Sequence, residues 1–334
     1  MIRFLKKVVR YVLPGFYHKL TLTKVEVFSQ YRNMSPTTVH KQRSLLTYLW
    51  NYIVSGVTPE EYEFLSFSLL NRKGKANFVT MRRNRKLNGL FNDEQSNRIL
   101  NDKGRFNEYF SGFIKRRFLF IDTKTTDQQL SDFYLSLKNK MYIIKPNNLY
   151  YGLGIHVGNT LEELFEVRDA GAPVVVEEHI KNDSTLAKLN DSSLNTFRVV
   201  TCIDSHGDVY ILAFLLRTGR KGALIDNLLG GGTCYHVDIE TGVIDGAGRD
   251  SIGNYYVKHP TSEKIMPGFQ IPHFDELKEY AVKLAKHLPN ARYVGWDIAL
   301  TPDGIEVIEG NICPSAELIQ CNNIGLYKQI LNYY

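Results

Sequence analysis

From about Asn101 onward, short apolar runs bounded by Gly, Pro and Asn alternate with segments of helical period. The runs "MYIIKP", "GIHVGN", "APVVVEEHI", "NTFRVVTCID" and "VYILAFLLR" predict strands. A helix is predicted to open at Thr160, with Glu163 three positions on completing a capping box. A second is predicted in "PHFDELKEYAVKLAKHLPN", where Leu277, Tyr280, Ala281, Leu284 and Leu288 form one stripe. The segments "DSHGDV" and "ETGVID" and the glycines Gly230 to Gly232 read as hairpin turns. Residues 1 to about 95 differ: they read as mostly helical and basic, with "RKGK" at Arg72 to Lys75 and "RRNRK" at Arg82 to Lys86. The whole predicts an α+β fold built on largely antiparallel sheet.

The strongest alternation is "VGWDIALTPDGIEVIEGN", Val294 to Asn311, which runs on both sides of a Pro-Asp-Gly turn. With the turn centred on Asp303, Asp297 faces Glu309 and Gly295 faces Asn311, so three oxygen-bearing side chains share one face. Two carboxylates that close repel each other, and a bound divalent cation removes the conflict. All-oxygen ligands without histidine or thiolate point to Mg²⁺ or Mn²⁺. The plainer reading of any single hairpin is a solvated sheet face, and a slip of one residue would separate the three.

Composition narrows the chemistry. A hydrophobic content of 43% in 334 residues is ordinary for a globular protein. A net charge of +6 and a pI near 8.9 favour anionic partners such as nucleotides, phosphorylated substrates or a membrane surface, and do not reach the bias of a dedicated nucleic-acid binder. No nucleic acid is expected as a partner. Cys202, Cys234, Cys313 and Cys321 form no CxxC pair, which fits a reducing compartment. No run approaches the roughly 20 apolar residues of a membrane span, and no secretory h-region is recognisable. A cytoplasmic protein is expected. In "MIRFLKKVVRYVL", however, Ile2, Phe4, Leu5, Val8, Val9, Val12 and Leu13 fill one side and Arg3, Lys6, Lys7 and Arg10 the other. Such a helix either lies on anionic lipid at the inner face of a membrane or caps the protein's own core.

Phosphate handling must do without a P-loop, because no GxxxxGK[ST] occurs and the glycines of "GLGIHVG" do not fit a dinucleotide fingerprint. Instead Lys145 ends an apolar strand and is followed by a loop bearing Gly152 and Gly154, an arrangement able to fold over a polyphosphate. Downstream, main-chain groups of His179 and Ile180 could hold an adenine edge, with Glu177 or Glu178 taking an amine or hydroxyl. The histidines form no HExxH or paired metal spacing.

Taken in order, Lys103, Lys145, the glycine loop, Glu177 and Glu178, Arg198, Asp297, Glu309 and Asn311 make the chain resemble an ATP-grasp enzyme. More narrowly it resembles the sugar-transfer-associated ATP-grasp family, through "NTFRVVT", "LRTGRKGALIDNLLGGG" and "GWDIALTPDGIEVIEGN", from about Asn101 to Ile324. The resemblance implies an ATP-grasp fold, two α+β subdomains (96–180 and 181–334) clamping ATP behind a helical region (1–95). Lys103 and Lys145 would meet the phosphates, Glu177 to Ile180 would form the adenine hinge, and Asp183 is assigned to the ribose. Asp297, Glu309 and Asn311 would be the magnesium ligands. Relatives mostly activate a carboxylate as an acyl phosphate, which an amine or other nucleophile then attacks. Arg198 would brace the acyl phosphate or the tetrahedral oxyanion, its plainer role being a salt bridge across the sheet, and Arg217, Arg220, Lys221 and Asn227 would take the second substrate. The implied partners are a small carboxylate and an amine or sugar-linked acceptor. A kinase acting on a hydroxyl, or a non-catalytic nucleotide-binding module, would use the same site. One departure is visible: the phosphate loop carries Tyr150 and Tyr151 in "NNLYYGLG", which would stiffen it.

Overall fold

The computed structural model describes residues 45–147, 154–223, 226, 231–251 and 253–334. The basic segment 1–13, the loop residues Tyr150, Tyr151 and Gly152, and Asn227 lie outside these residues.

Two antiparallel sheets organise the chain. The smaller contains β1 (Phe118–Ile121), β2 (Tyr142–Pro146), β3 (His156–Gly158) and β4 (Val174–Glu178), in the order β1-β4-β2-β3. The larger has seven strands, β5 (Thr196–Ile203), β6 (Val209–Thr218), β7 (Thr233–His236), β8 (Gly248–Arg249), β9 (Tyr255–Tyr256), β10 (Tyr293–Thr301) and β11 (Gly304–Asn311). Their order is β11-β10-β5-β6-β7-β8-β9. The α+β, antiparallel architecture read from the sequence is therefore the one observed.

Each sheet has one face closed by helices. In the smaller, Ile121, Tyr142, Ile144 and Val176 pack with Leu130 and Phe133 of the helix Asp127–Ser136 and Leu164 of the helix Leu161–Asp169. The latter begins as predicted: Thr160 accepts from the Glu163 amide at 3.2 Å. The reciprocal half of the capping box is absent, because the Glu163 carboxylate accepts from the Tyr142 hydroxyl at 3.2 Å and the Asn159 amide at 3.3 Å.

In the larger sheet, Phe197, Val199, Phe214, Trp296 and Ile298 pack on Leu277, Ala281 and Leu284 of the helix Phe274–His287. Half of its opposite face is covered as well. There Val200, Cys202, Ala213, Leu215 and Tyr293 share a core with Tyr48, Phe64, Phe67, Leu87 and Phe91 of the N-terminal helices, and with Leu318, Ile319 and Ile330 near the C-terminus. Cover on both sides explains why β5 and β10 are buried along their whole lengths and read as nearly continuous apolar runs. The other half of that face is polar and looks toward the smaller sheet. No helix among the described residues is long and apolar enough to cross a membrane.

Candidate active site

The polar half-face is set by register. The hairpin turn is two residues long, with Thr301 paired to Gly304, and pairing continues as Ile298 to Val307. A β-bulge then leaves Ile308 unpaired, and Asp297 faces Glu309, Trp296 faces Gly310 and Gly295 faces Asn311. The two expected pairs, Asp297 with Glu309 and Gly295 with Asn311, are present, but the cause differs. The turn is one residue shorter than a turn centred on Asp303, and the bulge restores the missing residue. Without the bulge Glu309 would face Trp296 and point into the helix-covered core.

On its other side Asp297 is opposite Arg198 of β5. Arg198 donates from Nε to Asp297 Oδ1 at 2.5 Å and from Nη2 to Oδ2 at 3.0 Å. Arg217 reaches the same carboxylate through Nη1, 2.8 Å from Oδ2, and holds Asp226 Oδ1 through Nη2 at 3.1 Å. Asp226 also accepts from the amide and hydroxyl of Thr196. Asn311 donates to Glu309 Oε1 at 3.2 Å and to the Gly295 carbonyl at 3.4 Å. Gly295 is required here, since a Cβ would lie 2.8 Å from Pro314 Cβ and 3.1 Å from Arg198 Cδ.

The two carboxylates are electrostatically unequal. Burial opposes ionisation of Asp297, but Arg198 and Arg217 overcome it and hold the group well below the usual carboxylate range. Glu309 is pushed upward, first by burial and then by Asp297. No cluster of three His, Cys, Asp or Glu side chains able to hold a metal occurs among the described residues. The donors here are two carboxylates and an amide, a hard all-oxygen set, and a cation would offset the burial and the Asp297 charge that push Glu309 upward. That chemistry fits Mg²⁺ or Mn²⁺.

The smaller sheet supplies the opposing wall. Lys145 and Ile143 share the face that carries Glu177, and Lys145 is ion-paired to Glu177. Lys103 begins the helix Lys103–Tyr109, which is fixed by the Asn147 side chain accepting from the Gly104 amide at 3.0 Å. Burial lowers the Lys103 pKa, opposed chiefly by Glu309, with Lys145 adding to the depression. Two ammonium groups thus stand across from the Asp297–Glu309 pair.

Other assigned residues do different work. Glu177 is not open to a ligand amine or hydroxyl: besides Lys145 it takes Asn107 at 2.8 Å and both Nε and Nη2 of Arg116 at 3.0 Å. Arg116 in turn donates to Glu306 at 2.9 Å and the Val307 carbonyl at 2.7 Å, tying β4 to β11. Burial opposes ionisation of Glu177, but Arg116 and Lys145 hold it well below its ordinary value. Glu178 accepts from the amides of Lys138 and Arg117 at 3.1 and 3.3 Å. The His179 amide donates to Met141 at 3.0 Å, which removes it as an adenine contact. Ile180, His179 and Glu178 nevertheless line a pocket of about 160 Å³ at this end, together with Lys115, Lys138 and Asp303.

Asp183, assigned to the ribose, instead caps the helix Ser184–Ala187 by accepting from the Thr185 amide at 2.8 Å. Arg217, assigned to substrate, is held inside the charge network. Arg220 lies apart from it, bonded to Tyr256 at 2.8 Å and paired with Asp250 at 3.5 Å. The Lys221 amide donates to Thr261. Gly154, at the end of the phosphate loop, has φ +72°, a backbone conformation suited to glycine. Sequence reasoning missed Arg116 and Asn107, which stand in no recognisable local pattern, and also Asn147 and Asp226, which lie within the quoted "NNLYYGLG" and "LRTGRKGALIDNLLGGG" but were given no role there.

A comparison with curated proteins finds no match. Among solved structures the chain is similar to D-alanyl-alanine synthetase A from Vibrio cholerae O1 biovar eltor, with 13% identity, 71% of this chain and 64% of that one covered, and a TM-score of 0.44. It is also similar to the ATP-grasp ligase PsnB, solved with its minimal precursor (16% identity, 73% and 64% covered, TM-score 0.42). A third is the VanG D-Ala:D-Ser ligase from Enterococcus faecalis (17%, 72% and 62%, TM-score 0.44). The chain spans less than two thirds of the length of each of these structures. The family model for sugar-transfer associated ATP-grasp matches residues 153–333, more than half of the chain, and takes in Arg198, Asp297, Glu309 and Asn311. The chain belongs to the sugar-transfer associated ATP-grasp family.

Proposed function

We propose that the protein is an ATP- and Mg²⁺-dependent ligase that joins a carboxylate, an amino acid or similar acid, to an amine or another nucleophile through an acyl phosphate. The observation that carries this reading is the convergence of Asp297, Glu309 and Asn311 across from Lys103 and Lys145. The divalent cation, held by Asp297, Glu309 and Asn311, would neutralise charge on the phosphate oxygens. Lys103 and Lys145 bind the phosphates from the opposite wall, and the pocket beside Ile180 receives the base. A carboxylate oxygen of the substrate attacks the γ-phosphorus while the bond to the bridging oxygen breaks and ADP departs. Arg198, with Nε and Nη2 fixed on Asp297, directs Nη1 to the acyl oxygen as the nucleophile adds. The amine then loses its proton and phosphate leaves.

The family's description supports an acceptor on a polysaccharide or cell-surface precursor, and the need for ATP supports a cytoplasmic reaction, at the membrane's inner face where the acceptor is lipid-linked. The test is to incubate the protein with ATP, Mg²⁺ and panels of carboxylates and amines, following ADP and phosphate. Release only when both partners are present supports the ligase. A stable phosphorylated product without free phosphate, seen by phosphorus NMR, replaces it with a kinase. Nucleotide binding without turnover under every mixture leaves a binding module.

A further inference from the structure

The helix Leu45–Ser55, "LLTYLWNYIVS", carries no charged residue. Its inner face is accounted for: Tyr48, Asn51 and Ser55 are buried, and Tyr48 stacks edge-on against Tyr62 at 5.1 Å. Its outer face is Trp50, Ile53 and Val54, spaced i, i+3, i+4, and these are 66%, 41% and 57% exposed. A surface helix of a globular protein ordinarily turns charge toward water, so an uncharged outer face with an exposed tryptophan is shaped for a cover.

The charge distribution says which cover. Residues 1–91 hold 16 of the chain's 41 Lys and Arg but only four of its 35 Asp and Glu, so the remaining chain is net acidic and the protein's net positive charge comes from this region. Some of that charge borders the helix. Arg82 donates to the Ile53 and Tyr52 carbonyls at 2.7 and 3.1 Å, placing an exposed guanidinium at its C-terminal end. Lys75 lies over Phe67 at 5.8 Å, and Phe67 contacts Tyr62 beneath the same helix. Arg72, Lys73, Arg85 and Lys86 are exposed on the neighbouring helices. Tryptophan and aliphatic side chains beside lysines and arginines match the boundary of an anionic bilayer, where the indole sits at headgroup depth and cations meet phosphates.

We infer that the outer face of the helix Leu45–Ser55, with its basic surround, is a docking surface for an anionic lipid bilayer. This holds whatever reaction the ATP site performs. Residues 1–13, whose sequence is basic and amphipathic, would add to the same attachment; the surface argued here is separate from them.

The test uses the full chain and its own fluorescence. Of the two tryptophans, Trp296 is fully buried and Trp50 is exposed, so a change in emission on adding vesicles reports Trp50. Vesicles of phosphatidylglycerol and phosphatidylcholine should shift the emission to the blue and shield it from iodide. Pure phosphatidylcholine should do so weakly, and salt should reverse the effect. Ile53→Glu with Val54→Glu should weaken sedimentation with anionic vesicles about tenfold or more, with circular dichroism and nucleotide binding unchanged.

Four results would overturn the inference. One is binding that leaves Trp50 emission unmoved, which assigns attachment to residues 1–13 alone. A second is no binding at all. A third is shielding from iodide without lipid that rises with protein concentration, meaning a second copy covers the face. The last is concentration-independent shielding without lipid, meaning the chain covers itself.

Discussion

Replacing Arg116 by methionine keeps most of its aliphatic length and removes the guanidinium shared by β4 and β11. The side chain is 1% exposed, and the carboxylates it serves are buried as well, at 4% for Glu177 and 1% for Glu306. Glu177 would keep Lys145 and Asn107. Among the described residues Glu306 would keep only the amides of residues 115 and 116, at 3.2 and 3.3 Å. Removing one member of a buried ion pair leaves an uncompensated charge and costs about 3–5 kcal/mol. The expected loss lies in that range at pH 7, measured by urea unfolding. Burial opposes ionisation of Glu177, and Arg116 is the first of the two cations that overcome it and keep its pKa below the ordinary value of 4.5. A depressed carboxylate stabilises the fold above its unfolded pKa, and that contribution is lost as pH falls through its folded value. The variant lacks most of this contribution, so the gap to wild type should narrow as pH drops below about 4.5. Adding Glu306→Gln to the variant should recover part of the loss. A gap under about 1 kcal/mol at pH 7, or one equal at both pH values, would refute the account of Arg116 as the charge that joins the two sheets.

Three further outcomes follow from the same geometry. Glu309→Gln should lower Mg²⁺-ATP turnover by about two to three orders of magnitude with an unchanged melting temperature, because a charge that balances the cation is lost; wild-type turnover would remove the metal assignment. Gly295→Ala should cost about 1–3 kcal/mol by thermal unfolding, since the methyl meets Pro314 and Arg198, and a neutral result would mean that β10 shifts freely. Glu61 is pushed up to about 8 by burial, from an ordinary 4.5, so its protonated form stabilises the fold below pH 4.5 and this is lost as pH rises toward 8. Glu61→Gln should therefore match wild type at pH 4 and exceed it by roughly 3–5 kcal/mol at pH 8; a pH-independent difference would count against this.

What was legible in the sequence follows the range of the interactions involved. β5, β6, β10 and the helix Phe274–His287 were readable because their period and apolar content are local properties that burial on one or two faces enforces. The facing of Asp297 and Glu309 was readable for a less secure reason. Pairing counted outward from a turn carries an error of one residue through every later pair, and here a short turn and a bulge cancel. The sequence does hold a trace of the bulge: Val307 and Ile308 are adjacent apolar residues in a strand that otherwise alternates, and the face changes at that doublet. Asp183 has a purely local partner that its assignment to the ribose did not foresee, the Thr185 amide at the N-cap of "DST". Arg116 failed in the opposite way. In "IKRRF" it is indistinguishable from a solvated basic run, and what buries it are two carboxylates 61 and 190 positions away. Glu177 and Glu178 combine both difficulties. Strand alternation sends one to the face of Lys145 and the other to the opposite face, and only the tertiary position of Arg116 turns Glu177 from a candidate ligand contact into the anchor that positions Lys145.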